Sequence, residues 1–172
     1  MRFVFISIAA LSLVVPLSTP LHAGTPGTAC QSAPYRQFDF FAGDWDAYSS
    51  DAPSKVIARN HVAVILGGCV IHEDYRQNDG LHGKSFSLYD AARRRWHQSW
   101  VTNRGDVLLL DGHAANGTMT FQGQHRNASG KREIVRVVWQ PAGRDVRETA
   151  TRSLDDGKTW QPMFDIVFKP HR

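Results

Sequence analysis

The sequence is poor in the residues and spacings that metal or cofactor chemistry requires. It has two cysteines and no CxxC pair, which are too few thiols for a cysteine-built zinc site or a redox dithiol. Its eight histidines show no HxH, HxxxH or HExxH spacing. A G-x-S-x-G elbow, a P-loop and a dinucleotide-binding fingerprint are also missing from the sequence. We therefore predict no metal site and no cofactor.

Charge of one sign is not in large excess either. The chain carries 20 Lys and Arg against 16 Asp and Glu, a net charge of +4. The basic residues are scattered apart from the triplet 93–95, which lies beside a turn signal and indicates a solvated corner. Because nucleic-acid binding needs basic side chains gathered on one face, we predict no nucleic-acid partner.

Long apolar runs are confined to the N-terminus. Met1 and Arg2 supply a short positive start, Phe3–Leu17 is almost unbroken apolar sequence, and an exit ending in Ala23 follows. This order is typical of a secretory signal peptide, and the run is too short for a membrane span. We predict a signal peptide over 1–23, no membrane span in the remainder, and export to the periplasm or the medium.

The remainder of the chain has the usual size of one domain. Residues 24–36, rich in Gly, Pro, Thr and Ala, are predicted to form a flexible N-terminal extension, and 37–172 a single β-barrel domain. Because an exported protein meets an oxidising environment, Cys30 and Cys69 are predicted to form a disulfide that ties the extension to the barrel. Such a bridge across about 40 residues stabilises by roughly 3–4 kcal/mol in the chain-entropy model.

From residue 37 onward the sequence has one helical signal and many strand signals. Residues 37–43 resemble a short helical turn that ends at Gly43. After it, apolar and polar residues alternate between turn signals such as Asn116-Gly117, which favour tight hairpins. The strand candidates are Asp44–Ser49, Lys55–Leu66, Cys69–Arg76, Lys84–Tyr89, Arg95–Thr102, Val107–Gly112, Thr118–Gln124, Arg132–Trp139, Val146–Ser153 and Trp160–Lys169.

Ten short strands with no long helix indicate either a closed up-and-down barrel or a sandwich. Short turns join every consecutive pair, whereas a Greek-key sandwich needs some long crossings between its sheets. We therefore predict an all-β protein with a roughly ten-stranded antiparallel up-and-down barrel of the lipocalin-like type. One short N-terminal helical turn precedes the barrel.

The alternation in the third strand candidate predicts an inward-facing carboxylate. Its apolar row contains Ile71 and Tyr75, and side chains two apart share a face, so Glu73 faces inward with them. A lone carboxylate there is costly unless it is hydrogen-bonded, paired or protonated. A purely structural alternative is that Glu73 and Gln98 satisfy each other, Arg136 or trapped water.

The fifth strand candidate has an inward row that alternates aromatic and polar side chains. Apolar walls desolvate a ligand while a few polar groups orient it, so such a row is typical of a cavity. The residues predicted to contact a ligand are Trp96, Trp100, Tyr75, Phe86, Glu73 and Gln98.

Residues 153–160 match the S-x-D-x-G-x-T-W pattern of the Asp-box hairpin. In this turn a carboxylate caps backbone amides, Gly157 takes a positive φ and Trp160 packs beneath the hairpin. One copy does not make a propeller. We interpret the segment as a structural turn and infer no glycosidase chemistry from it.

Five segments occur in a fixed order: QFDFFAGDW at 37–45, GGCVIHE at 67–73, SFSLYD at 85–90, WHQSWV at 96–101 and DGKTW at 156–160. As a set they resemble a family of exported bacterial proteins of unknown function, with FDFWxGxW, GGCxxxE and WHQxWV motifs. Phe41 stands where that family usually has Trp. The likeness spans nearly the whole mature chain. The family is distantly similar to lipocalin-like and nitrobindin-like barrels, so the resemblance implies a central cavity but no particular reaction.

The similarity to nitrobindin-like barrels also raises haem binding through one axial histidine, and His171 lies near the C-terminus, where such a ligand would sit. Its position between Pro170 and Arg172 indicates an exposed terminal side chain instead. We therefore keep the prediction that the protein has no cofactor.

Three functions fit these patterns. The leading hypothesis is a binding module that holds a small, partly apolar ligand in a central cavity, oriented by Glu73 and Gln98. The second is an enzyme that uses the same cavity with Glu73 as general acid or base. The third is a structural or interaction protein whose barrel is filled by its own side chains.

Overall fold

The structure is a computed structural model that describes residues 29–127 and 129–172. The predicted signal peptide over 1–23 lies outside the described residues. Within the described residues, no helix is long and apolar enough to cross a membrane. The elements in chain order are α1 (Ala33–Arg36), a 3-10 turn (Asp39–Phe41), β1 (Gly43–Ser49), β2 (Val56–Ile65), a second 3-10 turn (Leu66–Gly68), β3 (Val70–Gln77), β4 (His82–Asp90), β5 (Arg95–Thr102), β6 (Val107–Ala115), β7 (Thr118–Arg126), β8 (Arg132–Ala142), β9 (Asp145–Ser153) and β10 (Gln161–Pro170).

The ten strands form one closed antiparallel barrel. Each strand pairs with the next along the chain, and the ring closes where β10 pairs with β1, beginning with Trp45 opposite Pro170. Tight hairpins produce this order. Between β6 and β7, Asn116 and Gly117 have φ values of 51° and 74°, as a two-residue type I′ turn requires. The predicted ten-stranded up-and-down barrel is confirmed.

The period-two alternation of the sequence decides which side chains enter the barrel. On β8, Val135, Val137 and Trp139 are buried, while Arg136 between them faces outward. The strand register places the buried residues of β8 opposite buried residues of β7, since Val137 lies opposite Phe121 and Trp139 opposite Met119. The interior is therefore assembled from one row of each strand.

Aromatic side chains from the segment before β1 close one end of the barrel. Phe38 and Phe41 are fully buried. The ring centroid of Phe38 lies 5.4 Å from that of Phe41, 5.5 Å from Trp139 and 6.0 Å from Trp96, in stacked and edge-to-face arrangements. Trp45 Nε1 donates a hydrogen bond to the Phe41 carbonyl oxygen at 2.9 Å and thereby fixes the entry into β1. The closed end comprises Phe38, Phe41, Trp96, Phe121, Trp139 and Phe168.

A disulfide fastens the N-terminal segment to this end. Cys30 and Cys69 are bonded with a Cα–Cα distance of 5.0 Å, which agrees with the pairing predicted from the sequence. Gln31 Nε2 donates to the carbonyl oxygen of Gly67 at 3.1 Å, and Arg36 donates to that of Gly68. The described part of the predicted extension thus contains α1 and contacts the turn between β2 and β3.

The Asp-box segment forms the hairpin between β9 and β10. Asp155 Oδ1 accepts a hydrogen bond from the backbone amide of Thr159 at 2.9 Å, and Trp160 Nε1 donates to the Gly157 carbonyl at 3.1 Å. Hydrogen bonds from the Thr159 hydroxyl, the Thr159 amide and the Ser153 hydroxyl lower the pKa of Asp155 to about 2. Arg136 lies 3.9 Å from the centre of the Trp160 ring on the outer face. The segment is a local structural turn, as predicted.

Candidate functional site

A cavity of about 470 Å³ lies at the end of the barrel opposite the closed end. Its mouth is formed where β3 ends and β6 and β10 begin, with Met163 and Phe164 at the rim. Trp139 lines it and also belongs to the closed end, so the closed end forms the floor. Its apolar wall includes Ile57, Leu81, Trp100, Leu108, Leu110, Val135, Val137 and Ile166. Its polar lining includes Ser49, Asp51, Glu73, Tyr75, Gln77, Gln98, Glu148 and Asp165.

Small residues on β4 make room for this space. Ser85 and Ser87 occupy the inward row of β4 and are buried, opposite Glu73 and Ile71 of β3. Gly83 continues the row, and a Cβ added there would lie 2.2 Å from the Trp100 ring. The missing side chain at Gly83 therefore allows Trp100 to lie against β4 at the cavity wall.

Glu73 is buried, with 5% of its surface exposed, and both of its carboxylate oxygens have partners. Asn60 Nδ2 donates to Oε1 at 2.8 Å, and Ser85 Oγ donates to Oε2 at 2.8 Å. Burial raises the pKa of Glu73, while the hydrogen bonds from Ser85 and Asn60 act in the opposite direction. The two donors stabilise the ionised form of Glu73 more than that of a carboxyl group which accepts no hydrogen bonds.

Glu148 is such a carboxyl group, and sequence reasoning missed it. It faces the cavity from β9, between Trp139 of β8 and Ile166 of β10 in the register. None of the described residues donates a hydrogen bond to its carboxyl group. Burial, and then the negative charge of Glu73, hold the pKa of Glu148 well above its usual range. Of the two carboxyl groups, Glu148 is therefore the one that holds its proton to higher pH.

A signal for Glu148 was present in the sequence. Val146 and Ala150, two residues to either side, are apolar, whereas Arg147, Thr149 and Thr151 form the opposite row. The same argument that placed Glu73 inside would have placed Glu148 inside. The Glu73–Glu148 pair could not be read from the sequence, because it depends on how the ring of strands closes.

Gln98, Tyr75 and Trp100 lie where the alternation predicted. Gln98 is buried and its Nε2 donates to Ser87 Oγ at 3.1 Å, so it does not pair with Glu73. The hydroxyl of Tyr75 donates to Gln77 Oε1 at 3.2 Å, and its ring centroid lies 6.1 Å from that of Trp100. The predicted alternative in which Arg136 satisfies Glu73 is wrong, because the Arg136 Nε donates to Gln122 outside the barrel.

Two of the predicted ligand contacts lie outside the cavity. Phe86 is on the outer face with 44% of its surface exposed, because the inward row of β4 is taken by Ser85 and Ser87. Trp96 does face inward, but it packs in the closed end, where its Nε1 donates to Gln37 Oε1 at 3.1 Å. The prediction that Phe86 lines the cavity is wrong, and Trp96 supports the floor from below.

The indole N–H of Trp139 has no hydrogen-bond acceptor among the described residues. Trp139 is 2% exposed and lines the cavity floor. The nitrogen atom itself is buried, so this unpaired donor costs free energy on the order of 1–3 kcal/mol.

The described residues that line the cavity include no Lys, Arg or His. Asp165 at the mouth is paired with Arg147, whose Nε lies 2.8 Å from Asp165 Oδ1. The carboxyl groups of Glu73 and Glu148 therefore have no basic partner among the described residues of the cavity wall. This electrostatic setting disfavours an anionic occupant.

His171 does not provide an axial ligand to the cavity. It lies on the outer surface, where it contacts Asp46 and Arg59. The described residues that line the cavity include no histidine, so the cavity offers no axial histidine to a haem.

Comparison with protein-family models gave no match, and comparison with curated proteins gave none either. The family resemblance inferred from the five motifs stays a prediction.

Proposed function

We propose that the protein is an exported small-molecule-binding barrel that takes a partly apolar ligand into its cavity through the mouth. The observation that carries this proposal is the cavity of about 470 Å³, which has mainly apolar walls and a few convergent polar groups. Sites that bind small molecules have this size and composition. The Cys30–Cys69 disulfide supports the exported part of the proposal, since such bonds persist in oxidising compartments.

Two of the three hypotheses drawn from the sequence lose support. A cavity of this size argues against a barrel filled by its own side chains. Glu73 is hydrogen-bonded by Asn60 and Ser85, which do not titrate, so no described side chain within hydrogen-bond reach of Glu73 forms an acid–base pair with it. Binding is the function that the site supports best.

The test is binding of Nile red, a neutral apolar dye, to two variants changed at adjacent positions of β6. Leu108→Trp places a large ring in the cavity, whereas Leu109→Trp adds the same ring on the outer face. We expect dye fluorescence to rise with the wild type and Leu109→Trp, and to be lost with Leu108→Trp. Equal binding by both variants, at unchanged far-UV circular dichroism, would contradict the proposal. Mass spectrometry of molecules that co-purify with the protein would then identify its natural ligand.

A further inference from the structure

We propose that the cavity selects a cationic ligand, an ammonium group joined to an apolar chain, with the ammonium bound by the carboxyl group of Glu148 and attracted by that of Glu73. This inference rests on the proposed function and names its ligand class. It is drawn from the charges that line the cavity and from a carboxyl group there that has no partner among the described residues.

The titratable side chains of the cavity wall are acidic, apart from one phenol. The described residues that line the cavity include the carboxyl groups of Asp51, Glu73, Glu148 and Asp165, and no lysine, arginine or histidine. Asp165 at the mouth is already paired with Arg147, whose Nε lies 2.8 Å from Asp165 Oδ1. Glu73 and Glu148 have no such counter-charge in the described wall. A ligand that enters with a positive charge therefore supplies what the wall lacks.

Glu148 is the group that a ligand can contact directly. It lies in the inward row of β9 and lines the cavity, yet it is only partly buried. No described residue donates a hydrogen bond to its carboxyl group. Neither of its carboxyl oxygens is fully buried, in contrast to the indole nitrogen of Trp139. These oxygens are therefore open to the cavity and can accept hydrogen bonds from an ammonium group, which has up to three N–H donors.

Glu73 contributes charge rather than an open acceptor. Its carboxyl oxygens already accept hydrogen bonds from Asn60 and Ser85, each at 2.8 Å. Attraction between charges is less screened among apolar walls than in water, so an ionised Glu73 acts on a ligand without touching it. Burial, and then the charge of Glu73, raise the pKa of Glu148. An ammonium group bonded to Glu148 offsets that repulsion and allows both carboxyl groups to be ionised.

Ligands of other charge fit the cavity less well. An anion is repelled by both carboxyl groups. A neutral alcohol can donate a hydrogen bond to Glu148, but this bond is weaker than one from a cation and leaves the two acidic groups without a counter-charge. A hydrated metal ion makes no use of the apolar wall, which includes Leu108, Leu110 and Val137. An alkylammonium ion uses both the charge and the wall, because its chain can lie along these side chains.

Ionisation of Glu148 makes this affinity depend on pH. The other titratable side chains that line the cavity are those of Asp51, Glu73, Tyr75 and Asp165. The register neighbours of Glu148 are Trp139 and Ile166, which do not titrate. An alkylammonium ion keeps its proton up to about pH 10, as a lysine side chain does. We therefore expect its affinity to rise as pH rises through the pKa of Glu148, whereas that of a neutral alcohol should not rise.

The experiment is isothermal titration calorimetry with three probes of one chain length: octylammonium, 1-octanol and octanoate. At pH 9 we expect octylammonium to bind about tenfold or more tightly than 1-octanol, and octanoate to bind most weakly. The affinity for octylammonium should be lower at pH 6 than at pH 9.

Substitution of Glu148 tests the direct contact. Glu148→Gln keeps the shape and removes the charge, so it should weaken octylammonium about tenfold at pH 9, abolish its pH dependence and leave 1-octanol unchanged. Asp145→Asn is the matched control, because it removes a carboxyl group from the same strand but outside the cavity lining, and it should leave all affinities unchanged. If Glu148→Gln does not fold, Glu73→Gln provides a second test and should also weaken octylammonium, by a smaller factor, relative to 1-octanol.

The outcomes separate the two proposals. If 1-octanol or octanoate binds as tightly as octylammonium, or if Glu148→Gln leaves octylammonium unchanged or weakens all probes alike, the cationic ligand is wrong while the binding function stands. Binding of Nile red with no binding of the three probes has the same meaning. If neither Nile red nor any probe binds, the proposed binding function itself fails.

Discussion

At the closed end of the barrel Phe38 and Phe41 are fully buried, whereas at the mouth Met163 and Phe164 keep 42% and 38% of their surfaces exposed. The closed end is filled by aromatic side chains and fastened by a disulfide. The mouth is open, and the cavity behind it contains the carboxyl groups of Glu73 and Glu148. The difference indicates that stability is concentrated at one end of the ring, which leaves the other end able to hold unpaired polar groups and empty space.

The largest expected effect follows from emptying the closed end. Phe38→Ala should lower the free energy of unfolding by about 3–5 kcal/mol, because a fully buried ring in contact with five other aromatic residues is replaced by a void. Phe164→Ala at the mouth is the matched change and should cost about 1 kcal/mol or less. Urea unfolding of both variants measures the two losses in free energy of unfolding. Similar losses would show that stability is not concentrated at the closed end.

Removal of the disulfide is expected to have the next largest effect on stability. Replacing Cys30 and Cys69 together by Ser should lower the free energy of unfolding by roughly 2–4 kcal/mol and preserve the barrel, since the bond closes a loop of 39 residues at the closed end only. Circular dichroism checks the fold and urea unfolding the stability. Titration of the exported wild type under denaturing conditions should find no free thiols, and two free thiols would refute the bond.

Among the residues that line the cavity, Glu73→Ala should cause the largest loss in free energy of unfolding. It leaves Asn60 Nδ2 and Ser85 Oγ without their acceptor and creates a gap, so we expect a loss of about 2–3 kcal/mol. Glu73→Gln fills the same volume and can bond both neighbours again. A Gln variant as unstable as the Ala variant would show that the charge, rather than the hydrogen bonds, matters here.

The smallest effect has the opposite sign. Glu148→Gln should raise the free energy of unfolding at pH 8 by on the order of 1 kcal/mol, because it removes a half-buried carboxyl group that accepts no hydrogen bond from the described residues. Since the pKa of Glu148 is raised on folding, its acid form stabilises the protein fully below the unfolded-state pKa of about 4.3, and that stabilisation is lost as pH rises through the folded pKa.

Stability of the wild type should therefore decline from acid toward alkaline pH more steeply than that of Glu148→Gln. Thermal unfolding of both proteins between pH 5 and 9 measures this difference. If the stability of the two proteins changed with pH in parallel, Glu148 would be hydrated and the cavity would not be the desolvated site described above.

The two halves also differ in how far the sequence predicted them. Alternation and glycine turns predicted ten strands and the up-and-down order, because hairpin pairing depends on neighbours in the chain. They also placed Glu73, Gln98 and Trp100 inside. Phe86 lies on the outer face instead, because Ser85 and Ser87 take the inward row of β4, where their small side chains make room for the cavity.

Other features depend on contacts between residues far apart in the chain. Trp96 lies in the closed end because Phe38, from the segment before β1, packs on it, and no local pattern indicates that contact. Likewise, the proximity of Glu148 to Glu73 is set by curvature of the closed sheet. Periodicity gives the face of a strand, but not the depth of a side chain along the barrel axis.

The seam between β1 and β10 has a consequence for how the chain folds. Nine of the ten strand pairs join neighbours in sequence, whereas the seam joins Trp45 to Pro170 across nearly the whole domain. Closing so long a loop costs more chain entropy than forming any hairpin, so the seam should form last. Until then the nascent sheet has two unpaired edges, each able to pair with another molecule. Contacts such as that of Phe41 with Phe168, which join the segment before β1 to β10, add to the pairing that holds this seam closed.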